Sequence, residues 1–146
     1  MSSSSVNQVL NVEETRPAGP DHQVVTFIAK ARAARVYRTQ PCADCPWRKD
    51  ATSVFPAEAF RHAARTAYDM AVHSFSCHEA GAVRPALCAG FLLRGANHNL
   101  SVRLAQSKGQ SFADVHDGGR ELHDSYRAMA TANGVDPGDP ILAPCR

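Results

Sequence analysis

The sequence predicts a small single domain of the α+β class that is mostly helical. Its 146 residues suffice for about one domain, and 44% of them are hydrophobic, which allows a modest core. Apolar residues recur at helical spacing over residues 60–71 and again over 122–130. Residues 24–28 have the composition of a strand, although the alanine-rich stretch that follows favours a helix there equally.

Taken in order, the chain begins with a segment that carries little apolar surface. Residues 1–22 contain a run of serines together with Pro17, Gly19 and Pro20. Such a composition buries too little apolar area to offset the entropy of ordering. We therefore expect a flexible N-terminal arm over 1–22 and one metal-binding domain over 23–146.

The first well-marked helix is expected after residue 51. Thr52 or Ser53 is a suitable N-cap, and Pro56 suits a first helical position. Its predicted buried stripe comprises Phe60, Ala64, Ala67, Tyr68 and Ala71.

Three further helices are expected downstream. A short extended segment leads into Cys77, and a second helix begins within 86–93, with Gly90 allowing close backbone approach. A third helix covers residues 97–106. The last buries Leu122, Tyr126, Met129 and Ala130 and ends at Gly134.

Four of the five cysteines form the pattern around which this domain is organised. Cys42 and Cys45 are separated by two residues, and Cys77 and Cys88 follow Cys45 by 32 and 43 residues. A Cys-x2-Cys turn aims two sulfurs at one ion, and four thiolates are the usual complement of a structural metal site. We therefore predict that Cys42, Cys45, Cys77 and Cys88 ligate one metal or iron-sulfur site.

The spacing does not name the metal. Pro46 after the second cysteine and the long gap between Cys77 and Cys88 favour an iron-sulfur cluster, such as a 4Fe-4S centre. A Cys-x2-Cys-Pro turn is also common in zinc proteins, so a zinc ion is the alternative cofactor.

Residues next to the cysteines are expected to support the site. Four thiolates leave net negative charge, which Arg48 and His78 are placed to offset, while Trp47 either shields the site or simply anchors the core. The fifth cysteine, Cys145, is expected to be a free thiol in a mobile tail, with a tail folded back onto the site as the alternative.

Charge and targeting signals limit the remaining classes of function. The formal net charge of +2 is too small to predict a nucleic-acid partner by itself. A basic segment of Lys30, Arg32, Arg35 and Arg38 is nevertheless a candidate for nucleic-acid contacts, with a solvated surface as the alternative. The absence of a long apolar run and of a secretory signal predicts a cytoplasmic protein with no membrane partner.

The cysteine segments resemble the DUF6283 family of small proteins from bacteria, notably actinobacteria, and their phages. The resemblance covers roughly residues 35–105. It rests on the cysteine turn and its flanks over 41–48, Phe55-Pro56 and Phe60, residues 75–78, and residues 88–92. It implies that the four cysteines belong together, but the family carries no established activity. A more distant similarity to WhiB-like regulators lacks their compact cysteine triplet, so their DNA-linked role does not transfer.

Three functions follow from these observations. The first is a cytoplasmic metal-binding module with a binding or regulatory role, redox-sensing or host-interacting if phage-encoded, whose protein or nucleic-acid partner is unknown. The second is a metal-dependent enzyme or electron-transfer protein, for which Glu79 beside His78 is the best carboxylate. No catalytic motif is evident, so we assign no catalytic residue and favour a non-enzyme. The third is nucleic-acid binding through the basic segment.

Overall fold

The described part of the protein is a small, mostly helical domain with little strand. The computed structural model describes residues 10–17, 23–29, 34–77, 79–80 and 85–145. Within these ranges it contains four α-helices: α1 (Ala57–Ala63), α2 (Ala89–Arg94), α3 (Leu100–Ser107) and α4 (Tyr126–Ala132). No helix in these ranges has both the length and the apolar character needed to cross a bilayer. The four helices and the small amount of strand confirm the mostly helical prediction for these ranges.

Two strands form an antiparallel hairpin near the N-terminus. Strand β1 (Leu10–Pro17) pairs with β2 (Gln23–Ala29), with an irregularity between Val12 and Glu14. Of the two predictions for residues 24–28, the strand is therefore the correct one. Part of the expected flexible arm also lies in strand β1, because pairing with β2 supplies the backbone hydrogen bonds that the segment cannot make alone.

Helix α1 continues into a 3-10 turn at Ala64–Ala67, and together they bury Phe60, Ala64 and Ala67. The stripe prediction is confirmed up to Ala67, but the chain then turns to an extended conformation at Tyr68.

The predicted capping of α1 is wrong. Pro56 itself is the N-cap, and no side chain caps the helix. Ser53 instead has a φ of 75°, and its backbone N–H donates to Asn133 Oδ1 at 2.8 Å. That bond fixes Ser53 in a turn three residues before the cap.

Helices α3 and α4 are each capped by a polar side chain. Asn99 accepts from the Val102 N–H, and Ser125 accepts from the Ala128 N–H. Helix α4 buries Tyr126, Met129 and Ala130 as predicted. After it, Gly134 has a φ of +101°, a conformation that favours glycine at the end of a helix.

Leu122 differs from the prediction, because it precedes α4 instead of belonging to it. It forms an antiparallel bridge with Arg48, and flanking backbone bonds run from Lys49 N to Glu121 O and from His123 N to Trp47 O. Leu122 is still buried. The segment before α4 therefore holds the chain just after the Cys-x2-Cys turn.

Trp47 is the centre of the core. It is 0% exposed and meets the rings of Phe75 and Tyr126 edge to face, each at a centroid distance of 5.9 Å. Its Nε1 is buried and has no hydrogen-bond partner in the described residues, so packing holds the indole in place. Trp47 is thus a core anchor.

Helix α2 lies directly against this indole. A Cβ at Gly90 would lie 2.8 Å from Trp47 Cγ, and one at Gly95 would lie 2.7 Å from Trp47 Cη2. The close approach predicted at Gly90 is therefore confirmed, and Trp47 is the side chain that requires it.

The C-terminal tail packs on the domain, which corrects the expectation of a mobile tail. A 3-10 turn at Pro140–Leu142 leads to Cys145, which is buried and bridges to Tyr68. The Cys145 thiol donates to the Ala64 carbonyl at 3.4 Å, and Arg127 donates to the Cys145 carbonyl at 3.2 Å. The tail thus closes over the 3-10 turn that follows α1.

We expect Gly90→Ala to destabilise the domain by about 1–3 kcal/mol, because the added methyl group overlaps the fully buried Trp47 side chain. Urea denaturation measures the change. Gly138→Ala is the matched control, since its Cβ would meet only Asp136 Oδ1 at 3.4 Å. Equal stability of the two variants would contradict this packing.

We expect Cys145 to make the stability of the fold decrease at alkaline pH. Burial raises the pKa of Cys145 from 9.0 to about 11. The folded state thus holds this proton more tightly than the unfolded state. The stabilisation that the protonated thiol contributes is therefore complete below about pH 9 and is lost as the pH rises through about 11.

The measurement is the free energy of unfolding at about pH 8 and about pH 10. Cys145→Ser removes the titrating group. Between about pH 8 and about pH 10, the free energy of unfolding of this variant should therefore fall by about 1 kcal/mol less than that of the wild type. Identical losses in both proteins would show that Cys145 does not titrate in this way.

Candidate functional site

The first half of the site is the turn that carries Cys42 and Cys45. The Cys45 N–H donates to the Cys42 carbonyl at 3.1 Å, and the Arg48 N–H donates to the Cys45 carbonyl at 3.0 Å. These two successive turns leave both cysteines buried, Cys45 at 1% exposure. Local backbone bonds alone therefore bring this pair together.

The second half is a short antiparallel pairing between residues 75–77 and 86–88. Ser76 and Leu87 face each other, the Cys77 N–H donates to the Ala86 carbonyl at 2.7 Å, and the Cys88 N–H donates to the Phe75 carbonyl at 2.9 Å. Because side chains alternate along extended chains, Cys77 and Cys88 share one face as diagonal neighbours.

A third extended segment supports this pairing from its other edge. Tyr37 bridges Leu87 in parallel orientation, with bonds from Leu87 N to Val36 O at 2.9 Å and from Arg38 N to Leu87 O at 3.0 Å. Leu87 is thereby paired on both sides and buried. The chain just before the Cys-x2-Cys turn is thus fixed to the segment that carries Cys88.

The four thiols form a row of neighbours. Cys45 Sγ lies 3.6 Å from Cys88 Sγ. The Cys42 thiol interacts with the thiols of both Cys45 and Cys77. The order along the row is therefore Cys77, Cys42, Cys45, Cys88, and all four residues are buried.

Mutual contact and burial raise the pKa values of three of the thiols, those of Cys42, Cys45 and Cys77. The hydrogen bond with Cys42 lowers the pKa of Cys45, but the one with Cys88 and burial raise it, to about 12 overall. The hydrogen bond with Cys42, followed by burial, raises the pKa of Cys77 far above its usual value. The pKa of Cys42 is raised as well, chiefly by its bond with Cys45. Ionising several of these sulfurs together therefore requires a cation among them.

The spacing of one sulfur pair is close to that of two ligands on a single ion. Two thiolates on a tetrahedral zinc, each with a bond of about 2.3 Å, lie about 3.8 Å apart. The 3.6 Å between Cys45 and Cys88 is close to this value. A cluster that takes one sulfur per iron holds its ligand sulfurs farther apart. As the thiols stand, however, no three His, Cys, Asp or Glu side chains of the described ranges have the arrangement that holds a metal ion.

Of the supporting residues predicted from the sequence, Arg48 lies beside the turn. Its Nη1 donates to the Cys42 carbonyl at 3.1 Å, and Nε and Nη2 bind both carboxylate oxygens of Asp50 at 2.7 and 2.6 Å. These bonds hold its positive charge near the sulfurs. His78 lies outside the described residues.

The basic segment is only partly described. Lys30 and Arg32 lie outside the described residues. Arg35 is half-buried, and burial lowers the pKa of its guanidinium, while Arg38 pairs with Glu79 at 3.8 Å. Nucleic-acid contact through this segment stays a prediction, as does any catalytic role of Glu79.

Sequence reasoning missed the backbone partners that position the sulfurs. The segments at 36–38, 86–88 and 121–123 contribute these partners. Each is too short to have a periodic pattern, and the pairings join residues far apart in the chain. The Asp50 carboxylate two residues after Arg48 was the one local signal of a supporting ion pair.

Comparison with known proteins places the chain in one family. No curated protein and no solved structure matches it. One family model, described as a family of unknown function, matches residues 37–146. The match extends beyond the residues of the initial resemblance to include the end of α3, the whole of α4 and the tail. By this match over most of its length, the chain belongs to the DUF6283 family.

Proposed function

We propose that this protein is a small metal-binding module in which Cys42, Cys45, Cys77 and Cys88 hold one tetrahedral ion, zinc in the first place. The observation that carries the proposal is the 3.6 Å between Cys45 Sγ and Cys88 Sγ, because these buried cysteines come from distant segments of the chain and Cys42 and Cys77 are buried as well. Thiolates are preferred ligands of zinc, and four of them are a closed structural set.

The surroundings favour a structural role for the ion over catalysis. A catalytic zinc keeps one position open for water or substrate, whereas four cysteine ligands occupy every tetrahedral position. The only carboxylate singled out by the sequence, that of Glu79, is 47% exposed and pairs with Arg38. We therefore infer a binding or regulatory module instead of an enzyme.

Such an ion would stabilise a fold that has little regular structure. The helices that flank the site are short, with α2 only 6 residues long. Short helices contribute little stability by themselves. Structural zinc supplies on the order of 10 kcal/mol of binding free energy, which becomes folding free energy when the site forms only on folding. The ion would tie the turn at 42–45 to the paired segments at 75–77 and 86–88.

The local charges suit a bound ion. One divalent cation and four thiolates carry two net negative charges, which need donors and cations nearby. Arg48 supplies one cation beside the turn, and its ion pair with Asp50 fixes the guanidinium there. The ion would stabilise the fold, and the surface of the folded domain would bind the partner.

We expect anaerobically purified protein to be colourless and to contain about one zinc per chain, because the 3.6 Å between Cys45 Sγ and Cys88 Sγ is close to the spacing of two thiolates on a single ion. Elemental analysis and a visible spectrum measure this. Replacement by cobalt(II) should produce the absorption of a tetrahedral thiolate site. A brown protein that contains iron and sulfide would replace this proposal with the iron-sulfur alternative.

We expect Cys88→Ser to lose the metal and to be much less stable than the wild type, because one ligand and the cross-link to α2 are removed together. Cys145→Ser is the matched control, since Cys145 is also buried but bonds to Ala64 instead of the row of thiols. Metal content and thermal unfolding are measured for both. The proposal fails if Cys88→Ser retains full metal content and wild-type stability.

A further inference from the structure

The order of the four thiols has a consequence for oxidation. We propose that a peroxide converts the four sulfurs to two disulfides, Cys42–Cys77 and Cys45–Cys88, and thereby expels any metal they hold. The pairing follows from the arrangement of the thiols, while the release of metal rests on the function proposed above. Metal-bound and disulfide-bonded forms would then be two alternative states of the same site.

The pairing follows from which sulfurs are neighbours. Cys45 Sγ and Cys88 Sγ are 3.6 Å apart, and the Cys42 thiol interacts with the thiols of both Cys45 and Cys77. One disulfide between Cys77 and Cys42 and another between Cys88 and Cys45 use all four sulfurs. A disulfide between Cys42 and Cys45, in contrast, would leave Cys77 and Cys88 to pair with each other.

That last pair has unsuitable geometry. Cys77 and Cys88 are diagonal neighbours across the antiparallel pairing centred on Ser76 and Leu87. Cβ atoms in such positions are about 7 Å apart. A disulfide needs Cβ atoms about 3.5–4.5 Å apart, so this bond would require the backbone to move. The Cys45–Cys88 cross-link, in contrast, starts from sulfurs that are already 3.6 Å apart.

The chemistry balances for each pair of thiols. Two thiols give up two electrons and two protons and form one S–S bond, while the O–O bond of one hydrogen peroxide molecule breaks and two water molecules form. When the sulfurs start as metal-bound thiolates, the two protons come from solvent and the metal ion leaves into solution. Cys42 and Cys77, 7% and 5% exposed, are the least buried of the four and give peroxide a point of entry.

The two disulfides would preserve the fold. Each joins the turn at 42–45 to one of the two paired segments, and these are the same segments that a shared ion would join. Loss of metal by oxidation should therefore leave a folded domain, unlike loss of metal by substitution of a ligand. Reduction with a dithiol would restore the thiols and allow the metal to bind again.

The experiment treats the 146-residue protein with hydrogen peroxide and blocks the remaining thiols with iodoacetamide. The disulfides are then mapped by mass spectrometry after digestion with trypsin and a protease that cleaves at acidic residues. Asp44 lies between Cys42 and Cys45, and Glu79 lies between Cys77 and Cys88, so cleavage there separates all four cysteines. Metal content before treatment, released metal and circular dichroism are measured on the same samples.

We expect both cross-links as the main products, release of the bound metal, and an unchanged circular dichroism spectrum. Cys145→Ser should give the same pairing, which excludes exchange through the fifth cysteine. A main product with Cys42 joined to Cys45, sulfinic or sulfonic acids without cross-links, retained metal after oxidation, or an unfolded product would each overturn the proposal. If the purified protein holds no metal, the function proposed above fails, and the pairing is then judged separately on that metal-free protein.

Discussion

Four sulfur atoms from three segments of the chain share one buried volume of this domain, and the surrounding structure follows from that requirement. The thiols of Cys42, Cys45 and Cys77 stay neutral, because hydrogen bonds with neighbouring sulfurs and burial together raise their pKa values. Neutral thiols pack as small apolar groups. Thiolates in the same positions would repel one another unless a cation were placed among them. On the function proposed above, the site would have two states, one with protonated thiols and one with a bound metal ion.

The scaffold around these sulfurs consists mainly of backbone pairing instead of long regular elements. Segments at 36–38, 75–77 and 86–88 bond side by side, and residues 121–123 bond to the chain that follows Cys45. Trp47 fills the space next to this scaffold, and Gly90 leaves room for its indole. Short paired segments position side chains accurately only when the core behind them is well packed. The Trp47 packing and the cysteine site are thus parts of one arrangement.

Local patterns in the sequence were sufficient for some of this structure. The stripe of Tyr126, Met129 and Ala130 identified α4, and the two-residue spacing of Cys42 and Cys45 identified the turn, because both signals arise from neighbouring residues. Leu122 was misplaced because it continues the helical spacing although it pairs with Arg48. The end of α1 was missed because Ala71 continues the stripe beyond Tyr68, where the backbone becomes extended. Pairings between distant segments leave no such periodic signal.

X-ray absorption at the metal edge of the metal-loaded 146-residue protein tests whether one ion joins the four sulfurs. A single shell of four sulfur atoms at about 2.3 Å, with no metal neighbour, is the result we predict. A shell that includes nitrogen or oxygen ligands, or a second metal at short distance, would contradict it.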